Sequence, residues 1–211
     1  MLKGLIFDFD GTLFDSMHIW KGIKYQYLDY IGINLTRADI EAFNGLYLRE
    51  SLILAKDRFD LEESYEELFE SFFDYLRERY LKEAMPKNDI IGFLEKLEAK
   101  GVKMGIATAT GEPALEAVLK KYGMLKYFSA IYSTYTVGAS KAEPKVYDVV
   151  LEELGTDKET TWIFEDALYA ATTAKNNGYK VVGIYDKSEP EQDKLKSLVD
   201  VYINNYSELD V

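Results

Sequence analysis

The segment at residues 5–16 constrains the fold of this chain more than any other part of the sequence. Its apolar run ends abruptly in Asp8 and Asp10, and Gly11 and Thr12 follow. A short apolar run bounded by turn residues predicts a buried strand, and open α/β sheets bind ligands outside the carboxyl ends of their strands. The segment therefore predicts a strand that delivers two carboxylates to the ligand-binding edge of a sheet.

The remainder of the chain has a helical part and an alternating part. At residues 16–84 apolar side chains recur every three or four positions, which predicts helices whose aromatic residues form a core of their own. From Pro86 onward helix and strand patterns alternate, as in a parallel sheet with helices on both faces. We therefore predict an α/β fold, with a Rossmann-like core domain at residues 1–15 and 85–211 and an inserted all-helical domain at residues 16–84.

Proline and glycine mark the ends of elements in the alternating part. These signals and the apolar patterns predict four helices and five strands. The helices are predicted at residues 88–100, 112–122, 144–154 and 167–176, and the strands at residues 102–108, 130–137, 161–164, 180–185 and about 201–203.

Polar residues follow several of the predicted strands. Thr108 closes one strand just before a helix N-terminus, where a hydroxyl and free backbone amides can bind an anion. Lys141 precedes the third predicted helix and offers a point charge to a phosphate, with Lys145 as the alternative cation. Glu165 and Asp166 end another strand, where they complement the dipole of the following helix.

The composition restricts the chemistry of any site. The chain has no cysteine and one histidine, which excludes a disulfide framework, a Cys nucleophile and a His-rich zinc centre. A metal ion would therefore be held by oxygen. The net charge of −12 disfavours nucleic acid as a partner. No apolar stretch approaches the ~20 residues of a membrane span, and the chain starts directly with a strand, so we expect a cytoplasmic protein without a membrane partner.

These motifs, in this order, resemble those of the haloacid dehalogenase superfamily of aspartate-nucleophile hydrolases. The first motif, in its phosphatase form, is similar to the sequence at residues 8–16, Asp-Phe-Asp-Gly-Thr-Leu-Phe-Asp-Ser. Thr108, Lys141 and the pair Glu165-Asp166 resemble the second, third and fourth motifs. The helical insert resembles the cap of the β-phosphoglucomutase and phosphoglycolate phosphatase branch, which closes over the site and selects the substrate.

The resemblance implies roles for the residues that match these motifs. Asp8 would be the nucleophile and Asp10 the general acid and base. The hydroxyl of Thr108 and the backbone amide of Ala109 would bind the phosphoryl oxygens, and Lys141 would neutralise the nucleophile and the phosphoryl group.

The resemblance also implies a Mg²⁺ site. Its ligands would be Asp8, the backbone carbonyl of Asp10, and Asp166. Glu165 would bind the ion directly or through water. Ala167 stands where relatives commonly have a serine, so the sequence assigns no hydrogen-bond partner to Asp166.

Two residues of the insert have open roles. Arg49 matches a position at which the branch often places a cap arginine that binds the substrate in the pocket. A surface arginine paired with Glu50 or Glu41 is an equally good interpretation. His18 is interpreted as a polar residue at the base of the cap, because the two aspartates already fill the catalytic roles.

The function implied is that of a Mg²⁺-dependent phosphatase, acting as a monomer on a small phosphorylated metabolite through an aspartyl phosphate. A β-phosphoglucomutase-like phosphomutase, a phosphonate-cleaving enzyme using Lys21 or Lys24, and a non-catalytic phosphate-binding module are the alternatives. Mutases of this family hold a second phosphate with an arginine of the cap and with amide, hydroxyl or lysine groups just after the second motif. This chain has Thr110-Gly111-Glu112 there, so the expected cation is missing whether Glu112 faces the pocket or serves only the helix dipole.

Overall fold

The computed structural model describes residues 2–210 of the protein. A six-stranded parallel sheet forms its centre. The strands are, in chain order, β1 (Gly4–Phe7), β2 (Phe14–Asp15), β3 (Met85–Pro86), β4 (Lys103–Thr108), β5 (Ala130–Ser133), β6 (Thr161–Glu165), β7 (Lys180–Ile184) and β8 (Val201–Ile203). The large sheet has the order β5-β4-β1-β6-β7-β8, and β2 pairs with β3 in a separate antiparallel ribbon.

Helices account for most of the remaining described residues. Between β2 and β3 lie α1 (Met17–Trp20), α2 (Ile23–Tyr30), α3 (Arg37–Phe43), α4 (Leu48–Phe59) and α5 (Tyr65–Glu83). After β3 come α6 (Ile90–Ala99), α7 (Glu112–Lys121), α8 (Thr134–Val137), α9 (Lys145–Leu154), α10 (Leu168–Asn176) and α11 (Gln192–Leu198). Within the described residues no helix has both the length and the apolar character needed to cross a membrane.

The side chains of β1 alternate between the two faces of the sheet, and helices cover both faces. Successive strand residues point to opposite faces, and Ile6 packs in a cluster with α9, α10 and α11. Its neighbours Leu5 and Phe7 pack in a second cluster with α6 and α7. Both faces are therefore apolar, which is why β1 reads as a continuous apolar run.

The helical insert is held together by apolar residues at helical spacing. Along α5, Leu68, Phe72, Leu76 and Tyr80 are all buried and form one face of the helix. Each such fully buried side chain stabilises the fold by roughly 1.5–3 kcal/mol. Phe72, Leu76 and Tyr80 belong to the same apolar cluster as Phe7, so the insert packs directly on the core. The division into two domains at residues 16 and 84 stays a prediction.

The predicted α/β fold with a parallel sheet is confirmed. One element was wrong: the strand predicted at residues 130–137 ends at Ser133, and α8 follows. The side chain of Ser133 accepts a hydrogen bond from the amide of Thr136 at 3.2 Å and so starts a helical turn. Gly138 then ends that turn in the left-handed conformation, at φ 66°.

Candidate active site

The register of the central strands places Asp8 beside the acids of β6. Phe7 pairs with Phe164, and the amide of Asp8 donates to the carbonyl of Phe164 at 2.9 Å. The next residues, Asp8 and Glu165, are therefore neighbours at the carboxyl edge of the sheet. Both are buried, as is Asp166. One carboxylate oxygen from each of these three residues lies within 4.8 Å of the other two.

A single buried lysine partly balances these acids. Lys141 donates hydrogen bonds to Asp8 and, at 2.6 Å, to Oε1 of Glu165. Tyr147, on α9, donates to the same Glu165 oxygen at 2.7 Å. Burial lowers the pKa of Lys141, but Asp8 and Glu165 more than offset this effect and hold the pKa above its ordinary value. Lys141 therefore stays charged.

The acids themselves are hard to ionise in this environment. Burial raises the pKa of Asp8 to about 8, and Glu165 and Asp10 add to the increase while Lys141 opposes it. Burial also raises the pKa of Asp166 well above its ordinary value, again with repulsion from Asp8 and Glu165. A positive charge placed among these carboxylates would reverse the effect.

Gly11 and Thr12 allow the first motif to contact Asp166. The backbone at Gly11 has φ +80°, and a Cβ there would lie 2.1 Å from Oδ2 of Asp166. The side chain of Thr12 donates to Oδ1 of Asp166 at 3.2 Å. Thr12 is therefore the hydrogen-bond partner of Asp166 that the sequence did not assign. An alanine at position 11 would collide with the carboxylate of Asp166.

Asp10 is held by three hydroxyl groups and lies outside the acidic cluster. Ser16 Oγ donates to Oδ1 of Asp10 at 2.6 Å, and the hydroxyls of Tyr80 and Thr110 also donate to this carboxylate. Trp20 Nε1 donates in turn to the Tyr80 hydroxyl at 2.6 Å. Burial and the charge of Asp10 raise the pKa of Tyr80 well above its ordinary value, so Tyr80 remains a neutral donor.

A small cavity of about 180 Å³ opens beside these residues. Its walls combine the acids and Lys141 with residues from α1 and from the segment where α10 begins. They are Asp8, Asp10, Met17, Trp20, Ala109, Lys141, Glu165, Asp166, Ala167 and Tyr169. A larger and mostly apolar cavity of about 430 Å³ lies among residues such as Leu5 and Trp162, and its described walls contain no comparable cluster of acids.

Comparison with known proteins decides the family. A family model described as haloacid dehalogenase-like hydrolase matches residues 5–184. This chain belongs to that family. The predicted resemblance is thereby confirmed, and the protein is a haloacid dehalogenase-like hydrolase.

Two curated relatives and one solved structure illustrate the similarity. The chain is 25% identical over 178 residues to a phosphorylated carbohydrates phosphatase from Thermotoga maritima, covering 84% of this chain and 82% of the relative. It is 25% identical over 186 residues to a phosphoglycolate phosphatase from Agrobacterium fabrum, covering 85% and 78%. The crystal structure of CbbY from Rhodobacter sphaeroides with phosphate aligns with a TM-score of 0.80 at 18% identity, covering 99% and 96%.

The donor set of this hydrolase fits a divalent cation. Asp8, Glu165 and Asp166 contribute three buried carboxylates, whereas Lys141 contributes one positive charge. All donors are oxygen atoms, the ligands that Mg²⁺ and similar ions prefer. Enzymes of this family generally use a divalent metal.

The structure brings most of the predicted site residues to one place. Asp8, Asp10, Ala109, Lys141, Glu165 and Asp166 all line the small cavity. Thr108 is fully buried behind it, and its Oγ1 accepts a hydrogen bond from the amide of Thr110 at 3.0 Å. The role of Thr108 in binding phosphate stays a prediction.

Two predicted residues of the insert lie elsewhere. Arg49 is exposed on α4, with its guanidinium 5.7 Å from the centre of the Tyr65 ring, and it does not line the small cavity. His18 lies 3.9 Å from Asp15 and 3.9 Å from Glu83, near the two points where the chain enters and leaves the helical insert. The substrate contact predicted for Arg49 stays a prediction.

Glu112 has a local structural role. It accepts hydrogen bonds from the amide of Ser133, at 2.9 Å, and from the hydroxyl of Thr136. It therefore joins the start of α7 to the start of α8. It does not line the small cavity.

Sequence reasoning missed Tyr80 and Thr110 as partners of Asp10. Tyr80 belongs to the apolar stripe of α5, which was interpreted as core, and it is buried as that interpretation requires. Its hydroxyl nevertheless ends at Asp10, and nothing in the spacing of the stripe indicates this contact. Tyr169 was missed as well. It lines the small cavity although more than half of its side chain is exposed.

Proposed function

We propose that this hydrolase is a Mg²⁺-dependent phosphatase that cleaves small phosphate monoesters through an aspartyl phosphate at Asp8. The observation that supports this most strongly is the buried carboxylate of Asp8, held by Lys141 among further acids at the carboxyl edge of the sheet. The phosphatase names of both curated relatives support the same reaction class.

In the proposed first step, a carboxylate oxygen of Asp8 forms a bond to phosphorus while the bond to the leaving oxygen breaks. Asp10 gives its proton to that leaving oxygen as an alcohol forms. In the second step Asp10 takes a proton from water, and the water oxygen attacks phosphorus. Inorganic phosphate leaves, and Asp8 returns as a carboxylate.

The other residues of the site would stabilise charge during both steps. Lys141 offsets negative charge on Asp8 and on the transferring phosphoryl group. Such electrostatic stabilisation supplies most of the catalysis of phosphoryl transfer. Asp8, Asp166, the carbonyl of Asp10 and, directly or through water, Glu165 would hold Mg²⁺, which when bound neutralises phosphoryl oxygens. Tyr80, Thr110 and Ser16 fix the orientation of Asp10.

Hydrolysis is favoured over the mutase reaction because the described walls of the small cavity offer no second cation for another phosphate. Lys141 is the one basic residue among the described residues lining the small cavity. Arg49 and Glu112 both lie outside those walls. For the phosphonate-cleaving alternative, Lys24 is committed to the carbonyls of Phe43 and Leu46, at 2.6 Å and 2.9 Å.

The metal dependence gives the first test. We predict that hydrolysis of p-nitrophenyl phosphate requires Mg²⁺ and that Asp166→Ala raises the Mg²⁺ concentration needed for half-maximal activity by about tenfold or more, as expected on losing one carboxylate ligand. Ca²⁺ should inhibit, because its larger and looser shell misplaces the reacting groups. Asp193→Ala, on the exposed side of α11, serves as the control for loss of one acid. Activity that survives a chelator would contradict the proposal.

A further inference from the structure

Apart from the acids and Lys141, the described residues that line the small cavity are uncharged. Met17 and Trp20 come from α1, and Ala167 and Tyr169 come from the start of α10. Together with Ala109 they enclose the space next to the phosphoryl site, where the leaving group of a substrate must lie. This part of the wall is apolar and aromatic.

Lys141 and several basic side chains of the nearby insert are committed to other groups. Lys141 is paired with Asp8 and Glu165. Four basic side chains of the insert contact groups outside the small cavity: Lys24 binds backbone carbonyls, Arg49 lies over Tyr65, Arg77 pairs with Asp74, and Arg79 pairs with Glu83. Within the described walls of the small cavity, a carboxylate or second phosphate on the leaving group would therefore meet acids and apolar surface without a cationic partner of its own.

Two aromatic residues of the wall, Trp20 and Tyr169, can make different contacts with the leaving group of a substrate. The indole N–H of Trp20 is already used by Tyr80, so Trp20 can present only ring surface. Tyr169 is 56% exposed at the cavity, and its hydroxyl makes no hydrogen bond within the described part of the chain. Tyr169 is thus a free hydroxyl attached to a flat apolar ring.

We propose that the substrate is the phosphate monoester of an uncharged alcohol, such as a sugar or polyol, whose leaving group is held against Trp20 and contacted by Tyr169. This inference rests on the proposed phosphatase function. Flat aromatic rings pack against apolar faces of hydroxylated carbon chains, while the phenol hydroxyl can bond an alcohol oxygen. Tyr169 is then a specificity residue for this reaction.

The test compares two esters that differ in one group. Phosphoglycolate carries a carboxylate where 2-hydroxyethyl phosphate carries an uncharged CH₂OH. The wild-type enzyme with Mg²⁺ should show a kcat/KM for 2-hydroxyethyl phosphate that exceeds the value for phosphoglycolate by about tenfold or more, because like charges in a desolvated site repel strongly. p-Nitrophenyl phosphate measures the basal phosphatase activity in parallel.

Variants of the wall test the cause of the preference. Met17→Arg should shift the ratio of the two kcat/KM values toward phosphoglycolate, since it supplies the missing cation. Tyr169→Ala should raise KM for p-nitrophenyl phosphate about two- to tenfold with kcat retained, the effect of one lost aromatic contact. Tyr30, 59% exposed on α2, is the matched control: Tyr30→Arg and Tyr30→Ala should change neither quantity.

The outcomes separate this inference from the proposed function. If p-nitrophenyl phosphate is hydrolysed and phosphoglycolate is cleaved as well as or better than 2-hydroxyethyl phosphate, the inference about the leaving group is wrong and the phosphatase function stands. If Met17→Arg leaves the ratio unchanged, the cavity wall does not set the charge preference. If none of the three esters is hydrolysed with Mg²⁺, the proposed function fails and this inference fails with it.

Discussion

Asp10 shows how a residue with an ordinary sequence signature acquires an unusual environment. Its carboxylate accepts hydrogen bonds from three hydroxyl groups that belong to three separate parts of the chain: Ser16, Tyr80 and Thr110. A proton-transferring group must lie within hydrogen-bond reach of its target. The three donors therefore decide where the proposed general acid points, and one of them comes from the helical insert.

We predict that Tyr80→Phe lowers kcat for an alkyl phosphate monoester by about tenfold, since a hydrogen bond to a charged group contributes about 1.5–3 kcal/mol. The effect on p-nitrophenyl phosphate should be smaller, because its leaving group needs little protonation. Tyr27→Phe is the matched control, as Tyr27 is also buried in the insert and its hydroxyl donates to the carbonyl of Leu68, at 3.1 Å. Equal losses in the two variants, or for the two substrates, would contradict this role.

Individual elements differ in how far the sequence specifies them. The position of Asp8 could be predicted because the strand and its acids are adjacent in sequence, and parallel pairing with β6 then brings in Glu165 and Asp166. The contacts of Tyr80 and Thr110 with Asp10 span 70 and 100 residues. They depend on how α5 packs against α7, which no local pattern encodes.

The secondary structure was predicted wrongly at one short element, α8. Residues 134–137 have β-branched and aromatic side chains that favour a strand, but the Ser133 cap and the Glu112 contacts stabilise one turn of helix instead. Tertiary hydrogen bonds thus override local propensity. The apolar patterns of β4 and α9 had no such competitor, and the elements predicted at residues 102–108 and 144–154 match the structure within one residue at each end.

The folded molecule buries several acidic side chains at one point, and their burial makes its stability depend on pH. Asp8 and Asp166 have pKa values above those of the unfolded chain, so the folded protein binds their protons more tightly. As pH rises from about 4, the unfolded chain loses these protons first. Without metal, stability should therefore fall between about pH 4 and the folded pKa of Asp8, about 8.

We predict that the metal-free protein melts at a lower temperature at pH 8 than at pH 5.5, and that Asp8→Asn reduces this difference because an amide cannot ionise. Mg²⁺ should raise Tm at pH 8 more than at pH 5.5, since it binds the ionised site. Thermal unfolding followed by circular dichroism at both pH values, with a chelator or with Mg²⁺, measures this. Asp193→Asn is the control variant, with an exposed acid on α11. A rise in metal-free stability from pH 5.5 to pH 8 would contradict the charge account of the site.

In the proposed reaction Asp8 attacks phosphorus. The most direct measurement is acid quenching of the Asp10→Asn variant during reaction with p-nitrophenyl phosphate and Mg²⁺, followed by peptide mass spectrometry. The leaving group needs no proton, whereas the second step lacks its base, so a phosphoryl group should accumulate on the peptide at Asp8. The Asp8→Asn/Asp10→Asn double variant should remain unlabelled. A phosphoryl group on another residue, or an unlabelled Asp8 in a variant that still releases p-nitrophenol, would contradict the claim.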